Sequence, residues 1–183
     1  FGTTRTGDGT FFGFSTSGNC AFNGNPPGMY DGMIPMAVGM GLYGDSLVCG
    51  ACIEGTSNGM GSGNTPLPPT FRGFVSDSCG GCEDGDLDFA QDGDGRFEIE
   101  WEFVPCPGEE ISFVFEGSNE SFLKLQPRGT MAPVLSLTVN GVDATRTNDN
   151  HFELQGSGTF LGEQTVVTTT VTGVVQTSQV SQP

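Results

Sequence analysis

Phe74-Val75-Ser76-Asp77-Ser78-Cys79-Gly80-Gly81-Cys82-Glu83-Asp84-Gly85-Asp86-Leu87-Asp88-Phe89-Ala90 is the stretch on which the reading of this chain turns. Phe74 and Val75 close one apolar strand and Leu87 to Ala90 make a second, with a glycine-rich two-cysteine turn between them. Asp77 and Asp88 flank that turn. Carboxylates so placed either cap the amides of the turn or stand on an open face where they meet a ligand. Any chemistry in this chain is expected on those two side chains.

Outward from the turn the pattern stays β. Residues 71–75 form the strand entering it, preceded by a Gly, Ser, Asn and Pro loop over 55–69 and a strand over 46–54. Downstream, Arg96–Val104 alternates, with Phe97, Ile99, Trp101 and Phe103 on one face and Arg96, Glu98, Glu100 and Glu102 on the other. The single tryptophan is therefore a core residue. Asp92-Gly93-Asp94-Gly95 is a turn with solvated aspartates and not a calcium loop, because Trp101 occupies the place of the required glutamate. Near the start, residues 10–14 make a short strand. Met29, Met33, Met36 and Met40, spaced by three and four, predict one or two turns of helix and serve as flexible core filler.

The six cysteines, Cys20, Cys49, Cys52, Cys79, Cys82 and Cys106, all precede residue 107. An even number confined to one half predicts a disulfide-stapled domain over 1–106 in an oxidising compartment. The paired CxxC spacing invites zinc, but 26 residues separate Cys52 from Cys79 and two cysteines are left over. Pro105-Cys106-Pro107-Gly108 is a stiff linker. Beyond it, over 109–183, six candidate strands (111–115, 122–126, Val134–Val139, 152–154, 166–171 and 174–180) with turns at Asn140-Gly141 and Thr172-Gly173 predict a small β-sandwich. The class expected is all-β. With 22 acidic residues against 6 basic ones, the net charge of −16 repels phosphate backbones and anionic lipid, so neither nucleic acid nor membrane is an expected partner. No segment has the length and apolar content of a membrane span. Phe1 in the first position is read as the start of a mature, secreted form whose leader has been removed. Asn119-Glu120-Ser121 is an N-glycosylation sequon.

Cys49-Gly50-Ala51-Cys52, the run from Val75 to Cys82, Gly85-Asp86-Leu87-Asp88-Phe89-Ala90 and the run from Asp94 to Trp101 resemble, in that order, the first domain of expansins and their microbial relatives. Gly117-Ser118 leading to Phe122, then Leu125-Gln126-Pro127-Arg128, Pro133-Val134 and Asn150-His151-Phe152, resemble the expansin carbohydrate-binding domain. The resemblance implies a six-stranded double-psi β-barrel followed by an immunoglobulin-like β-sandwich. It implies the pairs Cys20 with Cys49, Cys52 with Cys106 and Cys79 with Cys82. Expansins loosen plant cell walls without hydrolysis, by disturbing contacts between cellulose and matrix glycans. The groove aspartate of the family maps onto Asp88, a second aspartate onto Asp77 and a threonine onto Thr10. The aromatic platform on which the family stacks glucan maps onto Ser121, Phe122 and Asp149, which keeps one aromatic residue and adds a carboxylate. Cys79 stands where the family often has tyrosine or tryptophan.

Three functions are weighed. A glycosidase needs two carboxylates across the scissile bond. Asp88 could be the acid, but the strand over 10–14 carries no carboxylate and Asp8 lies before it, so no hydrolysis is expected; a lytic transglycosylase would need Asp88 alone. A non-enzymatic wall-loosening protein, secreted to the extracellular space or the wall, would grip neutral polysaccharide, cellulose or a matrix glycan, through Thr10, Asp77, Asp88 and Phe122. An extracellular building block would instead self-assemble, using its threonine-rich strands and a glycan at Asn119. No cofactor or metal is expected, and His151, the one histidine, is read as a structural turn residue.

Overall fold

The computed structural model describes residues 2–15, 17–23, 26–156 and 160–182. Six strands, β1 (Arg5–Phe11), β2 (Ile34–Gly39), β3 (Cys52–Ser62), β4 (Thr70–Cys79), β5 (Leu87–Phe89) and β6 (Arg96–Val104), close into a barrel in the order β1-β5-β2-β4-β3-β6. β1 runs parallel to β5 and β2 parallel to β4. Eight further strands follow: β7 (Ser112–Phe115), β8 (Phe122–Arg128), β9 (Val134–Val139), β10 (Val142–Asp143), β11 (Thr145–Arg146), β12 (Phe152–Gln155), β13 (Glu163–Thr170) and β14 (Val175–Ser181). They form two four-stranded sheets, β10-β9-β13-β14 and β11-β12-β8-β7. The all-β class, the closed six-stranded barrel and the sheets after it stand as expected.

The barrel core is built from the inward positions of these strands. Met36, Val38, Val75, Leu87 and Phe89 are fully buried, and Trp101 is 2% exposed, its Nε1 donating to the Gly85 carbonyl at 2.7 Å. β6 shows the alternation read from the sequence, Phe97, Ile99 and Trp101 buried between exposed Arg96, Glu98 and Glu100. The six cysteines form Cys20–Cys49, Cys52–Cys106 and Cys79–Cys82, the pairing that the resemblance implies. Leu123, Leu125, Leu137, Val139, Phe152 and Val166 make a second core between the two sheets.

Several boundaries differ from the sequence reading, each for a physical reason. The methionine run is not a helix: Ile34–Gly39 is strand β2, bounded by a 3-10 turn at Gly28–Tyr30 and one α-helical turn, α1, at Met40–Tyr43. β2 is buried on both faces from Met36 to Gly39, so it shows no period of two and the methionine spacing was the only period left to see. The glycine-rich stretch 55–62, read as loop, continues β3 because residues 55–57, 61 and 62 pair with β6 across a bulge, while every residue from Asn58 onward is exposed. Residues 46–50 are turns and not strand. β1 begins at Arg5 and not at residue 10. Gly7 weakens its strand signal, yet a Cβ there would lie 2.3 Å from the Gly85 carbonyl oxygen, so only glycine lets the strand press against the turn before β5.

The sheets are not loosely tethered to the barrel. The Gln126 side chain, fully buried, donates to the Cys20 carbonyl at 3.0 Å, and the Ser46 hydroxyl donates to the Thr147 carbonyl at 2.7 Å. In the linker, Cys106 donates its N–H to the Met131 carbonyl at 2.8 Å while its sulfur is tied to Cys52.

Candidate functional site: a groove across four barrel strands

Thr10 of β1 faces Asp88 of β5, Asp88 faces Ala37 of β2, and Ala37 faces Asp77 of β4. Directly opposed residues put their side chains on one face of a sheet. Here that is the outer face, because the neighbours Leu87, Phe89, Met36, Val38 and Val75 all point into the core. The three groove residues expected from the sequence thus lie in one row. At the usual strand spacing the Asp77 and Asp88 backbones stand about 10 Å apart, two strands' width. The methyl of Ala37 between them keeps the floor low.

The two aspartates are held differently. The Thr10 hydroxyl donates to Asp88 Oδ1 at 2.7 Å, fixing the carboxylate while leaving its side chain half-buried at the surface. Asp77 Oδ1 accepts the N–H of Asn19 at 2.7 Å and of Ser78 at 2.8 Å, so Asp77 also pins the 17–20 loop onto β4. Among the described residues neither aspartate bonds an amide of Cys79 to Cys82, although Asp77 holds the Ser78 N–H just before that turn. Just after the turn stands Asp86, whose Oδ2 accepts the Glu83 N–H at 3.0 Å and whose Oδ1 accepts the Asp8 N–H at 2.8 Å.

Two aromatic residues escaped the sequence reading. Phe12 continues the ladder of β1, donating its N–H to the Phe89 carbonyl, and by alternation shares the face of Thr10. It is 39% exposed and Phe14 is 74% exposed. The signal was present in Phe11-Phe12-Gly13-Phe14, where only Phe11 packs against the core. Asp8 also moves: it lies inside β1, two residues from Thr10, and not before the strand. Its Oδ2 accepts from Arg96 at 2.7 Å, which ties this carboxylate into an ion pair beside the groove.

The row continues toward the sheets. Asn19, bonded to Asp77, offers its carbonyl to the Tyr43 hydroxyl at 3.0 Å, and the same hydroxyl lies 2.7 Å from the Asn148 carbonyl. Next in the chain is Asp149, whose Oδ2 accepts from Lys124 Nζ at 2.8 Å. Lys124 stands two residues from Phe122 on β8, opposite Glu153 of β12, and also pairs with Glu116 at 3.0 Å. Phe122 is half-buried and Ser121 exposed, so an ion-pair cluster occupies the place where the resemblance puts an aromatic platform. Burial works against the Asp149 charge, but the hydrogen bonds from Lys124 and Thr147 and the positive potential of His151 and Lys124 outweigh it and hold its pKa at about 2. Asn119, in the turn before Phe122, is exposed, its Oδ1 accepting the Ser121 N–H at 2.9 Å.

Two groups of metal-type ligands occur among the described residues, and neither fits an ion. Cys79, Cys82 and Asp88 converge, but both sulfurs are spent in a disulfide. Glu116, Asp149 and His151 converge around the ammonium of Lys124, which already neutralises the carboxylates. His151 is buried and its Nδ1 lies 2.9 Å from the Asp149 carbonyl, a turn-stabilising place. A larger cavity of about 450 Å³ lies away from the row, beside Glu54, Glu100 and Glu102. Among its described lining residues the one cation, Arg72, is paired with Glu54 at 2.9 Å.

No protein-family model and no curated protein matches the chain. Solved structures do. A mutant expansin of Clavibacter michiganensis in complex with cellohexaose superposes with a TM-score of 0.81 at 22% identity, covering 98% of this chain and 92% of that one. The ligand-free expansin of the same organism gives 0.78 at 24% identity with the same coverage. The barrel and the sheets together therefore have the fold of bacterial expansins.

Proposed function

We propose that the protein is a secreted, non-hydrolytic, expansin-type protein that binds neutral wall polysaccharide, cellulose or a matrix glycan, and loosens its packing. On this reading residues 1–106 are the gripping domain and 109–183 a carbohydrate-binding-like domain. The observation that carries it is the single row of Thr10, Asp88, Ala37 and Asp77 on the outer barrel face, its three polar side chains half-buried above the buried methyl of Ala37. Fixed carboxylates bond sugar hydroxyls, and Phe12 and Phe14 beside the row offer ring faces to the apolar faces of pyranoses. Phe122 extends the contact onto β8. The expansin holding cellohexaose supports the choice of a β-glucan-like ligand. Hydrolysis is disfavoured because Asp8, the carboxylate of β1, is engaged by Arg96 at 2.7 Å instead of standing free to hold an attacking water.

The alternative building-block reading rests on β14. It is the outer strand of its sheet, and residues 164–182 contain no charged side chain in a protein of net charge −16. Uncharged edges favour pairing with another strand. One experiment separates the readings: sedimentation with cellulose, xylan and chitin beside a tube holding no glycan. Pelleting with glycan alone, lost in Asp88→Ala at unchanged thermal stability, supports the groove. Pelleting in the glycan-free tube supports assembly, and equal binding by Asp88→Ala overturns the groove assignment.

A further inference from the structure

Beyond Asp77 the barrel face opens into a pocket of about 240 Å³. Three rings make its floor. Tyr30 and Phe74 stack with centroids 4.1 Å apart and planes 8° apart, and Phe22 meets Phe74 edge-on at 6.0 Å. Met33 and Pro35 form one side, and exposed Phe14 stands at the mouth. The Tyr30 hydroxyl is turned inward to the Gly50 carbonyl at 2.8 Å, so the floor offers carbon and no hydroxyl.

A pyranose brings hydroxyls around its whole rim, and each needs a partner once it leaves water. Tyr30 apart, the described lining offers four polar side chains, of which Ser15 donates to the Ser17 carbonyl and Ser76 leans toward the Met36 carbonyl, while Ser17 and Asp31 are exposed. An aromatic ring brings no such demand, and it gains edge and face contacts with three rings. The volume suits one ring and a short tether, below the range of drug-sized pockets. Asp31 is the only charged residue among the described lining, so an aryl carboxylate finds no cation there.

Pocket and groove share a wall. Ser76 lines the pocket and Asp77, next in the chain, lies in the groove row; Gly18 lines the pocket, and a Cβ on it would fall 2.9 Å from the Asp77 Cβ. We propose that this pocket takes one neutral aromatic ring carried, through an ester or ether link, on the glycan held by the groove, so that the protein prefers aryl-substituted polysaccharide. The sugar part of this inference rests on the groove reading; the ring part does not.

The test is methyl NMR of protein with labelled methionines. Met33 lines the pocket, whereas Met60 and Met131 are exposed elsewhere and serve as internal controls. The probes are cellotetraose, its phenyl β-glycoside and methyl 4-hydroxybenzoate. Both aryl probes are expected to shift the Met33 methyl by ring current and leave Met60 and Met131 in place. The phenyl glycoside should bind about tenfold more tightly than cellotetraose, the gain from burying one ring. Ser17→Trp, at an exposed position, should fill the mouth and remove that advantage without weakening cellotetraose binding. Phe14→Ala gives a second variant with the opposite sign of bulk, and should weaken methyl 4-hydroxybenzoate. An unmoved Met33 with both aryl probes, or equal affinity of the two tetraosides, overturns the proposal. Sugar binding without an aryl gain leaves the groove standing and removes the pocket. An aryl shift with no sugar binding leaves the pocket and removes the groove.

Discussion

Asp88 depends on Thr10 for its orientation, and the two side chains are separable by substitution. Thr10→Val keeps the β-branched shape that suits β1 and removes the 2.7 Å bond. Its expected cost is about fivefold in affinity for cellohexaose at unchanged melting temperature, since the freed carboxylate stays solvated and still carries its charge. Asp88→Asn should cost more, about tenfold or beyond, because on the proposed groove reading it removes the charge from the group that would bond the sugar. Calorimetric titration of both variants checks the order; a larger loss in Thr10→Val would make the threonine, and not the carboxylate, the gripping group. Asp149 gives a pH prediction. Its pKa is lowered to about 2, so its contribution to stability is full above the ordinary aspartate pKa and is lost as pH falls from about 4 to about 2. The side chain is 34% exposed, so solvent screening reduces the contribution to about 1 kcal/mol. Urea unfolding of Asp149→Asn should show that deficit at pH 7 and only a small part of it at pH 2; a deficit that persists in full at pH 2 would trace to packing instead of charge.

At the scale of elements, the groove exists because a loop without regular structure is pinned against β4. Cys20 donates its N–H to the Ser76 carbonyl at 3.1 Å, Asn19 bonds Asp77 and Ser78, and the Cys20–Cys49 disulfide closes the segment. Gly18 makes the approach feasible: a Cβ there would lie 2.5 Å from the Ser76 carbonyl oxygen. Gly18→Ala is therefore expected to cost about 2 kcal/mol through overpacking, and to weaken glycan binding by displacing Asn19 from Asp77. Thermal melts and the sedimentation assay read the two effects; a stable variant with intact binding would mean that the loop has room to yield. Such contacts were not legible in the sequence, because they join residues 58 positions apart and their donors include backbone N–H groups, which every residue type but proline carries. What was legible followed from local pattern. The alternation of β6, the Asn140-Gly141 turn with both residues at positive φ, and the span Val134–Val139 were readable because one face of each strand meets water. β2, buried on both faces, and the solvent-facing half of β3 carried no such contrast. The resemblance proposes Asp77 and Asp88 as groove residues, but that they share one row is visible only in the strand register, and the exposure of Phe12 and Phe14 was not legible because an aromatic run after a threonine reads as ordinary core.

For the molecule as a whole, the question is whether the barrel and the sheets act as one surface. Tyr43 bridges Asn19, beside the groove, and Asn148, beside the Asp149 and Lys124 cluster, while Gln126 joins β8 to the Cys20 carbonyl beneath them. Gln126 is fully buried and its Oε1 also accepts from Arg128 Nε at 2.7 Å. Gln126→Ala would strip a buried carbonyl and a half-buried guanidinium of a partner at once, a loss of about 2–3 kcal/mol. Because the lost contact to the Cys20 carbonyl lies between the two cores and not within either, the damage should appear as a loss of cooperativity. The parent protein is expected to melt in one calorimetric transition and Gln126→Ala in two, the sheets first, since only the barrel carries disulfides. Tyr43→Phe removes the hydroxyl bridge without opening a cavity and should leave stability within about 1 kcal/mol. Its effect belongs to binding. A glycan long enough to run from Asp88 to Phe122 gains from holding both units in register, and loses that gain once they move independently. Tyr43→Phe should therefore weaken a long cello-oligosaccharide severalfold and leave a cellobiose-length ligand unchanged. Equal weakening of both would place Tyr43 in the groove itself, and no weakening of either would mean that the barrel binds alone and the sheets serve another partner.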